Sequence, residues 1–488
     1  MDIQRFCKPA IVSVSFFALL FMAGCTSNPV TGQKEFTGLM SPQQEESIGA
    51  SQHQEIIKQY GGIYSNPAIQ AYVEDIGQKM AQYSERKDVT YKFTVLDSPI
   101  VNAFALPGGY IYITRGILAL ANSEAELAAV LGHEIGHVAA RHQASRYSQG
   151  VLTQLGATVL SAAIGVPAAS QAIGLGSNLY MSSYSRAQET QSDQLGVRYL
   201  VRAGYDPMAM SNFLRAMSIE QSIEAQLDGK QQARASYLSS HPDTGQRVGE
   251  SRAEAAKIQI QGEPIRGETR YLSMIRNMTF GDSSAQGFEK GGTFYHSDLG
   301  FAFDVPPSFK IDNKPARIAV EGRDGSVMVL DMKKSEEVNR PEDYISQIWL
   351  KGEGRSQIET MDVNGLNAAT TAVGATINNQ PVEVRLVAIP WDNNDVVRMQ
   401  ILIPRGASND AVNDLKRITY SFRRLSERDR NVVRPYRIQL VKAGAGDTIQ
   451  SLASQMGMAQ NRFERFASLN ALNPNTPIIS GKMYKIVR

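Results

Sequence analysis

The chain has 488 residues, more than one ordinary domain of roughly 100–200 residues holds, so two to four folded units are expected. Hydrophobic residues make up 42% and charged residues 20%, which argues against both a disordered chain and a multispanning membrane protein. The formal net charge is +2 and no long Lys/Arg block occurs, so nucleic acid is set aside as a partner.

At the N-terminus, Arg5 and Lys8 precede an apolar run from Ile11 to Ala23. That is the pattern of a secretory signal, and it is too short for a comfortable membrane span. Met22-Ala23-Gly24-Cys25 resembles a bacterial lipobox, with Met where Leu is usual. The resemblance implies removal of residues 1–24 and acylation of Cys25. Cys7 leaves with the signal, so Cys25 is the last cysteine and no disulfide forms within the mature chain. The rival reading is ordinary signal cleavage that leaves Cys25 a free thiol. By likeness to Gram-negative lipoproteins, Thr26 after the cysteine implies a periplasmic location, anchored to outer-membrane lipid of a Gram-negative bacterium.

Residues 25–45 contain Asn28-Pro29, Thr31-Gly32 and Ser41-Pro42 and read as a polar tether. Residues 43–84 have helical spacing of Ile56, Ile57, Tyr60, then Ile69, Tyr72, Val73, Ile76 and Met80. Residues 90–96 alternate as a strand, and residues 110–114 form a second after the turn Pro107-Gly108-Gly109. Ser123 with Glu126 fits a capping box, and Leu127, Val130, Leu131, Ile135 and Val138 give the following helix its apolar face. Val151 to Met181 is rich in Ala, Gly and Leu, but Gln154, Pro167, Gln171 and Asn178 interrupt it, so it offers no clean span of about 20 apolar residues. Another helix runs from about Tyr184 to Arg202 and stops at Gly204. Further helices reach Ile260, broken at Ser240-His241-Pro242.

The chemistry sits on two of these helices. In His133-Glu134-Ile135-Gly136-His137 the two histidines are i and i+4, so both imidazoles project from one face. They suit a zinc ion at 2.0–2.1 Å per ligand, and Glu134 can face a water beside it and take its proton. The alternative is an ordinary polar turn. Against it, two histidines and a glutamate inside an apolar helix would cost about 1–3 kcal/mol for each unpaired group. Zinc needs a third protein ligand and an open fourth position. The second helix supplies Glu189 and Asp193, again i and i+4, whose like charges repel unless a cation is near. Glu189 is the expected ligand and Asp193 the hydrogen-bond partner of a ligand imidazole. A solvated acidic face is the alternative. His142 lies five residues past His137, about 140° around a continuous helix, and is read as structural.

Together these pieces resemble the M48 (Ste24/HtpX-like) family of gluzincin metallopeptidases. The matching segments are Asn102 through Gly109, His133 through His137, Glu189 through Asp193 and Ser240-His241-Pro242, across roughly residues 40–260. The resemblance implies a mainly α-helical zincin domain with a small sheet over 46–280. It implies one Zn2+ per chain on His133, His137 and Glu189, with Glu134 as general base. The expected activity is that of a zinc metalloendopeptidase acting on misfolded or unassembled envelope proteins. The competing class is a chaperone-like or peptidoglycan-tethering protein with a silent site. His241 is expected either to stabilise an oxyanion with Arg247 or to occupy the fourth zinc position as an inhibitory switch. The strand Tyr110, Ile111, Tyr112, Ile113 is expected to pair with extended substrate as an edge.

Gly and Ser accumulate over 282–292, a candidate linker. Residues 293–425 then alternate mostly as strands, with helices near 341–351 and 408–418, and read as an α+β domain of unknown role. The Leu299-Gly300-Phe301 opening loosely resembles PsbP/Mog1-like domains. After the charged break Glu427 to Arg430, residues 435–488 resemble a small β-α-α-β LysM module, through Gly446-Asp447-Thr448, Leu469-Asn470 and Gly481-Lys482. That resemblance implies peptidoglycan as a partner. The extra Gly-Ala in its first turn departs from the module's pattern.

Overall fold

The structure is a computed structural model and describes residues 25–163, 183–228, 237, 241–242, 244–335, 340–352, 357–377, 380–458 and 460–488. The signal segment 1–24, the interrupting residues Pro167, Gln171 and Asn178, and Ser240 lie outside them. Among the described residues no helix is long and apolar enough to cross a membrane. The chain forms two units. One holds residues up to Met278, apart from 58–61, together with Arg437–Arg488; the other holds Lys58–Gly61 and Thr279–Tyr436.

The stretch expected as a tether carries structure. Strands β1 (Cys25–Ser27) and β2 (Lys34–Phe36) pair antiparallel. Asn28 closes their turn, its side-chain oxygen accepting from the Val30 and Thr31 N–H groups. The same side chain donates to the Ala140 carbonyl, so the hairpin is seated on the chain rather than trailing from it. Helix α1 (Pro42–Gln59) starts with a reciprocal cap between Ser41 and Gln44. Helix α2 (Pro67–Ala81) is capped by Asn66 and buries Ile69, Tyr72, Val73, Ile76 and Met80.

Strands β3 (Lys92–Leu96), β4 (Ala103–Leu106) and β5 (Tyr110–Thr114) form a sheet in the order β3-β5-β4. The expectation that Tyr110, Ile111, Tyr112 and Ile113 offer a substrate edge is therefore corrected. β5 is the central strand, parallel to β3 and antiparallel to β4, and all five of its residues are buried. Its alternation of Tyr and Ile reflects burial on both faces. β4 is the outer strand on that side.

Helix α3 (Arg115–Leu120) leads to α4 (Glu124–Ala139), whose residues are all buried. Ser123 caps α4 by accepting from the Glu126 N–H, while the Glu126 carboxylate accepts from Asn122 N–H. Helices α5 (His142–Ala163), α6 (Arg186–Arg202), α7 (Met208–Asp228), α8 (Thr244–Ala256) and α9 (Glu268–Ile275) follow. α6 begins with a full capping box between Ser185 and Gln188 and ends before Gly204, which has φ +78°.

The second unit is all antiparallel sheet with one main helix. Strands β6 (Phe288–Lys290), β7 (Thr293–His296) and β8 (Phe301–Asp304) form one sheet. The candidate linker at 282–292 thus contains a strand. Gly291 and Gly292, both at positive φ, make the two-residue hairpin turn between β6 and β7, and Phe288 is buried. Strands β9 (Phe309–Lys314), β10 (Arg317–Gly322), β11 (Val327–Lys334), β12 (Glu359–Val363), β13 (Leu366–Ile377), β14 (Gln380–Pro390) and β15 (Asp395–Pro404) make a seven-stranded sheet ordered β12-β13-β14-β15-β11-β10-β9. Helix α10 (Asn409–Ser421) and strand β16 (Arg423–Arg424), which joins β8, complete the fold. Phe294, Phe301, Phe303, Val320, Met328 and Met399 of the sheets meet Leu415 and Ile418 of α10 in one core. The charged break is a short helix, α11 (Glu427–Val432), capped by Ser426.

Residues beyond Tyr436 run strand, helix, helix, strand: β17 (Ile438–Lys442), α12 (Ile449–Ala453), α13 (Arg462–Leu469) and β18 (Met483–Val487), with the strands paired antiparallel. This segment folds onto the first unit. The buried Lys485 ammonium donates to the carbonyls of Ala119 (2.6 Å), Leu120 (3.2 Å) and Ala121 (2.7 Å), closing the end of α3. Arg465 and Ser468 meet Glu220 and Glu224 of α7.

Candidate metal centre

α4 and α6 approach closely because glycines line their contact. A Cβ on Gly132 would lie 3.3 Å from Gly196 Cα, and a Cβ on Gly136 would lie 3.1 Å from the Ser192 carbonyl. With no side chains there, the backbones close up and short carboxylate side chains on α6 reach imidazoles on α4.

The result is a convergent donor set. Ligand-type atoms of His133, His137, Glu189 and His241 all lie within 4.8 Å of one another, and all four residues are buried. His133 Nε2 is 3.0 Å from His137 Nε2 and 3.2 Å from His241 Nδ1. Glu189 Oε1 is 2.9 Å from His241 Nδ1 and 3.4 Å from His137 Nε2, and Glu189 Oε2 is 3.6 Å from His133 Nε2. Ligands at 2.0–2.1 Å around a tetrahedral ion stand about 3.3–3.4 Å apart. The four groups therefore have the spacing of a metal site, and three imidazoles with one carboxylate have the chemistry of one.

Residues 67–255 match the model of peptidase family M48. The chain carries an M48 peptidase domain. Curated relatives agree. The beta-barrel assembly-enhancing protease of Escherichia coli is 28% identical over 164 residues, covering 32% of this chain and 34% of that protein. The mitochondrial metalloendopeptidase OMA1 of Arabidopsis thaliana is 32% identical over 163 residues, covering 33% and 31%. That of Schizosaccharomyces pombe is 27% identical over 238 residues, covering 48% and 68%. The chain thus spans about a third of the bacterial and plant relatives it matches. M48 metallopeptidases depend on a metal, and this cluster is where the M48 domain could hold one.

Asp193 and Arg247 brace the cluster. His133 Nδ1 is 2.8 Å from Asp193 Oδ1. Arg247 stands at the edge of the cluster. It grips Asp193 with two hydrogen bonds of 2.7 Å and pairs with Glu189 Oε2 at 2.5 Å. This reach across two helices explains how two carboxylates at i and i+4 coexist in a buried place. Burial disfavours charge on both acids, but His241, His137 and His133 hold Glu189 well below the ordinary carboxylate range, and Arg247 and His133 hold Asp193 low. Burial drives His137 toward its neutral, lone-pair-bearing form.

Glu134 is the outlier. It is fully buried, its two oxygens take no hydrogen bond among the described residues, and His241 Nε2 stands 3.7 Å from Oε1. Burial pushes its carboxyl up to about 7, with Glu189 adding repulsion and His133, Arg247 and Arg146 pulling it back. A buried, unpartnered carboxylate beside a donor cluster is poised to exchange protons.

Two groups that composition and spacing do not single out complete the site. Tyr184 stacks on His137, centroids 3.7 Å apart and planes 21° apart, and the Arg146 guanidinium lies 3.7 Å from the Tyr184 ring centroid. Tyr237 stacks on His241 at 4.1 Å. Tyr184, read from the sequence as the start of the second motif helix, stands just before its cap Ser185. His142, read as structural, is outside the donor set but touches it, with Nδ1 2.8 Å from His137 Nδ1.

Proposed function

We propose that the chain is a zinc-dependent endopeptidase of the bacterial envelope that hydrolyses peptide bonds of misfolded or unassembled proteins. One observation carries this reading: four buried donor groups whose ligand-type atoms lie within 4.8 Å of one another sit beside Glu134, a buried carboxylate whose oxygens take no hydrogen bond among the described residues. His133, His137 and Glu189 would hold one ion, and imidazole with carboxylate favours zinc over the oxygen-seeking magnesium and calcium. Zinc, when bound, supplies a Lewis acid that polarises a peptide carbonyl and acidifies water. Glu134 takes the proton from the attacking water and returns it to the leaving amine, for which a proton affinity matched to pH 7 is suited. Asp193 and Arg247 keep the ligand face of His133 and Glu189 in place. We assign substrate pairing to β4, the outer strand, where an extended chain can add main-chain hydrogen bonds and be read with little sequence preference. Relatives named beta-barrel assembly-enhancing protease support envelope proteins as the substrate class. Acylation of Cys25 would anchor the enzyme to outer-membrane lipid, residues 435–488 would act as a LysM-like contact to peptidoglycan, and residues 293–425 would be a PsbP/Mog1-like docking unit.

The test is zinc content and casein cleavage by purified protein, compared with Glu134→Gln. The expected result is one zinc in both and cleavage only in the parent. Zinc without any Glu134-dependent cleavage favours the scaffold reading instead. His241 Nδ1 lies 3.2 Å from His133 Nε2 and 2.9 Å from Glu189 Oε1, which supports reading this arrangement as a resting state in which His241 would fill the position substrate needs. His241→Ala is then expected to cleave casein faster than the parent; an unchanged or slower rate removes the switch.

A further inference from the structure

We propose that His142 is the positioning residue of His137, and that a His137–His142–Gln191 relay sets which nitrogen of His137 faces the ion. The proposal rests on the reading of His137 as a metal ligand.

The contact exists because the helix breaks. In one continuous helix residue 142 would point about 140° away from residue 137. α4 instead ends at Ala139, and Arg141 adopts φ +57°, a left-handed conformation unfavourable for a residue with a Cβ. Arg141 is held there from three sides: Glu45 Oε1 at 2.9 Å, the Met40 carbonyl at 2.5 Å and Thr26 Oγ1 at 3.3 Å. The turn restarts the chain as α5 with His142 as its first residue, and folds that imidazole back onto His137.

Hydrogen-bond accounting then fixes the protons. Gln191 Oε1 can only accept, and it lies 2.9 Å from His142 Nε2, so His142 carries its proton on Nε2. Nδ1 of neutral His142 is then a bare acceptor. His137 Nδ1, 2.8 Å away, must donate to it, with Ser192 Oγ a longer second donor at 3.4 Å. That leaves the lone pair of His137 on Nε2, the atom 3.0 Å from His133 Nε2 and 3.4 Å from Glu189 Oε1. Tyr184 presses on the ring face and can fix the ring plane. A stacked ring cannot select a tautomer or stop rotation within the plane; only the Nδ1 contact does both. The two ligand histidines are thus oriented by different chemistry, His133 by the carboxylate of Asp193 and His137 by a neutral imidazole.

The test uses full-length protein and two readouts, zinc affinity by competition with a chromophoric chelator and the visible spectrum of the cobalt(II)-loaded form. His142→Leu keeps the volume and removes the acceptor; it is expected to weaken zinc roughly 10–100-fold and shift the cobalt bands. His142→Asn puts an amide oxygen near the old Nδ1 position and is expected to recover most of the affinity and the parent spectrum. Gln191→Leu changes a partly exposed side chain, frees His142 to flip, and is expected to weaken zinc several-fold. Parental affinity and spectrum in His142→Leu, or His142→Asn as weak as His142→Leu, overturns the relay. If His142→Leu does not fold, parental zinc binding by Gln191→Leu overturns it alone. His137→Ala separates the underlying reading: if it binds zinc like the parent, the ligand set itself is wrong.

Discussion

At the scale of single residues, the site is a problem of charge in a place without water. Glu189 and Asp193 are both buried, and without a metal the cation that spans them is Arg247. Its planar guanidinium meets both acids at once, which a lysine ammonium could not do with the same geometry. Removing one partner of a buried ion pair strands the others, at about 3–5 kcal/mol. Arg247→Met is therefore expected to lose stability of that order in urea unfolding with chelator present. Because an ion at the cluster would replace part of the missing positive charge, saturating zinc should shrink the deficit. An equal deficit with and without zinc would mean that Arg247 serves packing rather than charge balance. The residue types of this site could be read in advance from spacing, since i and i+4 pairs declare a shared helix face. The partner of Arg247 could not, because nothing local distinguishes an arginine that reaches Asp193 from one that reaches a substrate.

At the scale of elements, two helices meet only because Gly132, Gly136 and Gly196 leave room. A Cβ at 136 would already press on the Ser192 carbonyl and on Leu195 Cβ, at 3.1 and 3.2 Å. Gly136→Val is expected to cost about 1–3 kcal/mol through overpacking and to weaken metal binding by moving α6 away from α4. Retained zinc affinity with lowered stability would show that the helices can part without opening the donor set. One helix start was legible, because Ser123 with Glu126 carries a local signal, and so were the strands at 92–96 and 110–114. The place of β5 in the middle of its sheet was not, since strand order depends on pairings far apart in sequence. The break at Arg141 was also hidden, because a left-handed residue announces itself when it is glycine and not when it is arginine. In the second unit, β7 carries His296, 7% exposed, whose Nδ1 accepts from the Leu299 N–H at 3.3 Å. Burial lowers its pKa to about 4 from 6.5, so the folded unit favours the neutral ring. The unfolded chain binds the extra proton first; stability is whole above pH 6.5 and falls as pH drops toward 4, by up to about 3 kcal/mol. His296→Gln is expected to flatten that acid limb.

At the scale of the whole molecule, the two units can be followed separately, because both tryptophans, Trp349 and Trp391, lie in the unit of Thr279–Tyr436. Tryptophan fluorescence reports that unit, and the acid sensitivity of His296 is best read there. Far-ultraviolet circular dichroism at the helical band is dominated by the other unit, which holds most of the helical residues among those described. Arg437–Arg488 belongs to this helical unit through Lys485, a buried ammonium that satisfies three terminal carbonyls of α3 just before the cap of α4. Those carbonyls are the acceptors that a helix end leaves over; burial lowers the Lys485 pKa to about 7, so part of what the hydrogen bonds contribute offsets desolvation of the amine. Lys485→Met fills the space and deletes the donor. Its expected effect is a lower midpoint of the helical transition, with the tryptophan transition unmoved. If the terminal segment were instead an independent bead on the chain, the substitution would leave the main helical transition where it was. The stronger version of the same test cuts the polypeptide at an inserted protease site near Pro435. The terminal fragment should then co-elute with the rest of the parent protein and separate from Lys485→Met, because the hold on α3 and α7 is made by side chains and not by the connecting chain.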